Sequence, residues 1–328
     1  MKPLFYERVR QTLRTLQIPI PNTYSNFIEI PPPWTLSIPQ SDTSLNIFRK
    51  NDIPYSLIKN TFINKLTKFS KSYHIYTDAS KISTGVGAAV ITPNITLEYK
   101  LPCLSCIHTD ELYAIYQALV HINSSNISNA LIITDSLSSI NTINQLYTKH
   151  PIALLIKKEL ATIQNNNYTV QFLWGPSHIG LQGNEEADRT SEAQQARNSE
   201  TASKVRDVVL NDLKSFIKVK VENLWQNQWD SSTSKLCEVK TFVKPWKSKI
   251  HQVIVTRLRL GHTRLTHGHI IGHTNPTLCE NCNIPLSVKH VLVECPRYQL
   301  QRQNNHIIGL TNELLGENCK IEHLVKFF

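Results

Sequence analysis

Two stretches of this chain are built alike, and their likeness limits the sheet that can hold them. In IYTDAS, residues 75–80, and in IITDSL, residues 132–137, an apolar strand-forming run ends in Thr-Asp and a small residue follows. If the two strands are parallel neighbours at the centre of a sheet, Asp78 and Asp135 emerge side by side at its carboxyl edge, the usual ligand crevice of such sheets. Two carboxylates at that distance repel, and without a cation one of them takes up a proton, so the arrangement makes sense only around divalent metal. Oxygen-only ligands favour Mg²⁺ or Mn²⁺ over zinc.

The residues around these stretches predict a mixed α/β domain. HIYTD, VGAAVIT and ITLEYK read as three strands of a meander, with Ser83-Thr84-Gly85 and Pro93-Asn94 as its turns. In TDELYAIYQALVHI, Leu112, Ile115, Tyr116, Leu119 and Val120 keep helical spacing, with Thr109 as N-cap and Glu111 in the first turn. ALIITD is a near-continuous apolar run, as a strand covered on both faces should be, with Asp135 at its carboxyl end. Two helices, the strand TVQFLW and a last helix follow; Asn184 caps that helix and Asp188 lies one turn in. The result is a five-stranded mixed sheet flanked by helices.

Composition bounds the rest. With 328 residues, 41% of them hydrophobic, the chain can bury a sizeable core and has room for two or three modest domains. No stretch approaches the roughly 20 uncharged apolar residues of a membrane span. MKPLFYERVRQTLRTL carries charge where a signal peptide needs an apolar run. The expectation is an intracellular protein, cytoplasmic or nuclear, neither secreted nor in a membrane. Seven cysteines, an odd number, make a poorer disulfide framework than a source of metal ligands. The net charge of +10 is unevenly spread: residues 1–72 hold 10 Lys and Arg against 4 Asp and Glu, residues 73–196 hold 6 against 10, and residues 197–328 hold 19 against 11. An acidic centre between basic flanks suits a cation-binding core held between surfaces that attract nucleic acid, with solvated surface charge as the plain alternative. Residues 1–72, rich in proline, read as a linker with an initial helix from Glu7 to Leu16; lysine-bearing amphipathic helices occupy 198–274.

Residues 73–197 resemble ribonuclease H, in which the order Asp, Glu, Asp, Asp in these local contexts marks the active site. WGPSHIGLQGNEEAD is similar to that family's histidine loop leading into the last helix. The resemblance implies Asp78, Glu111, Asp135 and Asp188 as ligands of two Mg²⁺ or Mn²⁺ ions, with Asp78 bridging them, and His178 as a mobile histidine assisting proton transfer or product release. It further implies two-metal hydrolysis of the RNA strand of an RNA/DNA hybrid. Strand choice would come from the 2′-hydroxyls in the wide minor groove, largely independent of sequence. Each carboxylate taken singly also reads as a helix-dipole or turn residue; the ordered set is what points to the site. Glu185 and Glu186 read as first-turn dipole partners.

Behind this segment, Cys279-x2-Cys282-x7-His290-x4-Cys295 offers three thiolates and one imidazole, enough to close a tetrahedral structural zinc site in residues 275–328. With RLRLGHTRLTHGHIIGHTNP upstream and PRY after it, the motif is similar to the tail behind ribonuclease H in non-LTR retrotransposon polyproteins, although Leu286 stands where that tail commonly has an acidic residue. The resemblance implies a reverse transcriptase domain as a partner in the parent polyprotein, and no Tyr-x-Asp-Asp signature is present. Cys103-x2-Cys106 reads as a decoy, His262, His267, His269 and His273 as surface residues, and Trp225 and Trp229 as core. A transposase or integrase would end its motif in glutamate, where Asp188 stands. A nucleic-acid-binding remnant with decayed catalysis, using the basic flanks and the zinc tail, is the non-enzyme alternative.

Overall fold

The computed structural model describes residues 5–18, 21–24, 32, 38–47, 54–82, 85–176, 193–196, 198–232, 249–316 and 319–327. They fall into two compact units, residues 1–217 and 218–328.

The first unit is a mixed seven-stranded sheet: β1 Gln40–Asp42, β2 Tyr73–Ile82, β3 Gly85–Ile91, β4 Thr96–Leu101, β5 Asn129–Thr134, β6 Thr169–Trp174 and β7 Ser203–Lys204, in the order β1-β6-β5-β2-β3-β4-β7. β1, β6, β5 and β2 run parallel, β2, β3 and β4 form an antiparallel meander, and β7 adds parallel to β4. The five expected strands are all present, joined by two short edge strands from the flanking segments. The turn at Pro93-Asn94 closes through Thr92, whose amide donates to the Ile95 carbonyl at 2.9 Å and whose hydroxyl accepts from Ile95 N–H at 3.0 Å.

β5 shows why its sequence is apolar throughout. Successive side chains of a strand leave on opposite faces. Ala130 and Ile132 join the larger core, with Ile75, Phe172 and the inner faces of α3 (Ile107–Ser124), α4 (Leu137–Asn144) and α5 (Pro151–Asn165). Leu131 and Ile133 join a smaller one with Leu173, Leu45, Ile58 and Phe62. Leu112, Ile115, Leu119 and Ile122 are fully buried and fix α3 on the sheet.

The second core corrects the reading of residues 1–72 as a linker. α1 runs Phe5–Thr15, close to the expected helix, but residues 40–42 also form β1 and α2 spans Tyr55–Lys68, bringing Ile58 and Phe62 onto the sheet. Prolines punctuate these elements rather than prevent them: Pro39 precedes β1, and Pro54 occupies the N-cap position of α2, where no ladder or helical N–H is lost. Lys65 of α2 pairs with Asp42 of β1.

The start of α3 also differs. It begins at Ile107 with Cys106 at its N-cap, so Glu111 lies in the second turn rather than the first. The Asp212 carboxylate, from α6 (Leu210–Asp230), takes the Cys106 amide at 3.1 Å, a tertiary cap that outcompetes the local one. Thr109 instead shares its hydroxyl with His150 Nε2 at 3.1 Å.

The second unit is helical, with α7 Lys249–Leu260, α8 Arg264–Ile271, α9 Gln299–Asn304, α10 Thr311–Leu314 and α11 Ile321–Phe327. Leu258, Val288, Leu292, Ile307, Leu315 and Leu324 form its small core. Arg259 is buried and donates to the carbonyls of Leu315 at 2.7 Å and Gly316 at 2.9 Å. Trp225, expected in a core, is 58% exposed.

Phe62→Ala tests the contribution of α2. The ring is fully buried, and its loss should cost about 3–5 kcal/mol in denaturant unfolding. A loss below about 1 kcal/mol would mean that the segment before the central strands does not stabilise the sheet.

Candidate functional site

The parallel ladder of β2 and β5 runs from Tyr73 opposite Ala130 to Thr77 opposite Thr134. The next residue on each strand is aspartate. β5 ends at Thr134, whereas β2 continues to Ile82 against β3, so Asp78 sits inside a strand and not at its end. α3 crosses behind them and delivers Glu111. Asp78, Glu111 and Asp135 each offer an oxygen, and these oxygens lie within 4.8 Å of one another. Asp135 is exposed, Asp78 half-buried and Glu111 buried.

The electrostatics follow from that placement. Burial pushes the Glu111 carboxyl well above its ordinary value, Asp135, Asp78 and Asp110 add to the shift, and the Ala79 amide works against it. Glu111 Oε2 is sealed from solvent and has no hydrogen-bond partner among the described residues. A buried carboxylate oxygen so placed, beside two further carboxylates, is what a hard divalent cation would satisfy. The donor set is all oxygen and fits Mg²⁺ or Mn²⁺.

Asp188 and His178, and with them Asn184, Glu185 and Glu186, lie outside the described residues. Three of the four expected carboxylates are therefore brought together.

Sequence reasoning missed the buried titratable groups at the start of α3 and beside it. Asp110 is fully buried, and both its carboxyl oxygens lack a hydrogen-bond partner among the described residues. Burial raises its carboxyl to about 8, with Lys81 opposing and Asp212 adding to the shift. His150 is held down to about 4 by burial and by His108, against the pull of Asp212. The doublet Asp110-Glu111 was visible in the sequence, but an acid at that position gave no sign of being buried. Among the described residues Cys103 is exposed and Cys106 partly buried at the start of α3.

In the second unit, Cys279, Cys282, His290 and Cys295 also present ligand atoms within 4.8 Å of one another. Cys279 Sγ lies 3.6 Å and Cys282 Sγ 3.9 Å from Cys295 Sγ. A tight turn makes this possible: Asn283, with φ at 52°, donates to the Cys279 carbonyl at 2.8 Å, and Cys279 donates to Ile284 at 2.8 Å. His290 opens a π-helical turn, His290–Glu294, that delivers Cys295. The adjoining His290 imidazole and the amides of Cys282 and Asn281 hold the Cys279 thiol down to about 6, toward the thiolate form that binds metal. Three sulfurs and one imidazole fit zinc better than a hard cation.

The pH dependence of stability has a definite sign. The folded pKa of Asp110 is raised, so its stabilising contribution is full below the unfolded carboxylate range and is lost as pH rises toward 8. In the presence of chelator, Asp110→Asn should flatten the fall in unfolding temperature between pH about 4 and about 8. Equal slopes in the two proteins would refute the buried, neutral carboxyl.

No curated protein matches the chain. Residues 70–196 do match the family model described as RNase H, and together with the convergence of Asp78, Glu111 and Asp135 that match supports a ribonuclease H domain over this span.

Proposed function

We propose that this chain hydrolyses the RNA strand of RNA/DNA hybrids at the crevice formed by Asp78, Glu111 and Asp135. The observation that carries the reading is the approach of those three carboxylates to within 4.8 Å inside the segment that matches the RNase H model. Two Mg²⁺ or Mn²⁺ ions held there would supply Lewis-acid polarisation of the phosphate and a water acidic enough to attack near neutral pH. Asp78 and Asp135, held at adjacent positions by the ladder, present their oxygens from one sheet edge. Glu111 enters from α3, with the Ala79 amide on its carboxyl group and Oε2 buried without a hydrogen-bond partner among the described residues. Sequence order extends the ligand set to Asp188 and gives His178 the proton-transfer or product-release role; both rest on WGPSHIGLQGNEEAD.

The segments flanking the matched span would serve the same end. Residues 1–72 and 197–328 are the basic parts of the chain and suit the phosphate backbone. Cys279, Cys282, His290 and Cys295 would hold a structural zinc ion that orders the tail. That tail supports descent from a non-LTR retrotransposon polyprotein, in which the chain would act beside a reverse transcriptase and remove template RNA after first-strand synthesis.

In Mg²⁺, the protein should cut the RNA of a hybrid while sparing free RNA and duplex DNA. Asp135→Asn removes a ligand charge at constant volume and should lower cleavage by at least about 10²-fold with little change in unfolding temperature. Hybrid binding by the wild type without cleavage would instead favour the nucleic-acid-binding remnant. For the tail, zinc removal or Cys282→Ser should open residues 275–300 to protease without silencing hybrid cleavage. Identical digestion patterns with and without zinc would rule out a structural metal there.

A further inference from the structure

Asp135 is the exposed member of the three carboxylates and stands one residue beyond the last rung between β5 and β2. The chain turns away at once into α4, whose N-cap is Ser136. The placement of the Asp135 carboxylate therefore depends on what holds its own peptide group. Trp174, the last residue of β6, donates its indole N–H to the Asp135 carbonyl at 2.9 Å. This bond prolongs the β5–β6 ladder past its final pair, Thr134 opposite Trp174, alongside a second bond from the Gly175 amide to the Thr134 carbonyl at 3.0 Å.

Two features separate this contact from ordinary packing. Trp174 is half-buried, so its N–H did not need a protein partner to avoid desolvation, yet it is aimed at the main chain of a site residue. Gly175 is also closely backed: a Cβ there would come 2.8 Å from the buried Phe62 ring of α2. The Trp174-Gly175 pair is held between α2 on one side and the end of β5 on the other.

We infer that Trp174 is a positioning residue for Asp135, fixing the peptide that keeps its carboxylate within reach of Asp78 and Glu111, with Gly175 and Phe62 as the support behind it. The inference rests on the reading of Asp135 as a metal ligand. It makes the indole N–H a determinant of cation affinity and turnover rather than of substrate affinity.

Trp174→Phe keeps the aromatic body and removes the donor. One hydrogen bond of this kind is worth about three- to tenfold in an equilibrium or a rate. The variant should lose that factor in kcat on a hybrid and need a correspondingly higher Mg²⁺ concentration for half-maximal activity, with KM unchanged within about twofold. The rise in unfolding temperature on adding Mg²⁺ should shrink in parallel, a readout independent of catalysis. Gly175→Ala should show the same defect by pushing on Phe62, and Phe62→Leu in the same chain should relieve it. Wild-type kcat and Mg²⁺ response in Trp174→Phe would overturn the role, as would a Gly175→Ala defect that Phe62→Leu leaves untouched. If Trp174→Phe fails to fold, the Gly175 pair decides. If the wild type binds Mg²⁺ but does not cut a hybrid, the proposed function falls while the Mg²⁺ shift still decides the positioning role; a wild type with no Mg²⁺ response overturns both.

Discussion

The parallel register of β2 and β5 is the constraint from which the site follows. A ladder that ends with Thr77 opposite Thr134 must place the next residues, Asp78 and Asp135, on neighbouring strands at one edge. A slip of either strand by one residue would send its aspartate to the opposite face, and the apolar partners would prevent it: Ile75 of β2 or Ile132 of β5 would leave the larger core with it. The same apolar contacts that stabilise the sheet therefore hold two like charges together. α3 completes the set because the burial of Leu112, Ile115, Leu119 and Ile122 seats it on the sheet and leaves Glu111 only 8% exposed. The cost of that seating shows in the raised carboxyls of Glu111 and Asp110.

Much of this was legible in the sequence because it is local or periodic. The twin Thr-Asp runs gave the parallel neighbours, the apolar continuity of ALIITD gave a strand covered on both faces, and the Cys/His spacing gave four side chains that the fold brings together. What escaped was tertiary. Thr109 is a good N-cap by type, but Asp212, about a hundred residues later, caps α3 through Cys106 instead. The prolines before residue 72 suggested a linker, yet Leu45, Ile58 and Phe62 between them cover the second face of the sheet. Composition registers proline as a breaker; only the packed structure shows that Pro39 and Pro54 stand at element boundaries. Trp174 was read as part of a strand, and nothing in its neighbours pointed its indole at Asp135.

The second unit meets a different physical problem. Its apolar core is small, and Arg259 is spent on tail carbonyls that a larger core would satisfy through regular structure. Ligand sulfurs 3.6 and 3.9 Å apart repel as thiolates unless a cation lies between them. Metal binding there would turn that repulsion into folding energy, as it does in small metal-dependent domains. The two candidate centres thus share one logic with different donors: oxygens from a rigid sheet for a hard cation, sulfurs from a short turn for a soft one.

Under the proposed function, the charge placement would suit a polyanion. Residues 73–196 carry more acid than base, so the sheet by itself would repel a phosphate backbone, and the repulsion would be greatest at the three carboxylates. Cations in the crevice would reverse the sign of the field where the scissile phosphate would sit, and the basic segments before and after would supply attraction at longer range. Screening limits that range to about 10 Å at 0.1 M salt, so the flanks can assist only where they lie close to the bound duplex. Cations that bind the folded crevice and not the unfolded chain also stabilise the fold by mass action. Under the proposed function, a single set of carboxylates would therefore couple the stability of the sheet to its readiness for phosphate, and the geometry that raises the Glu111 carboxyl would be the geometry that lets a bound cation favour an anionic substrate.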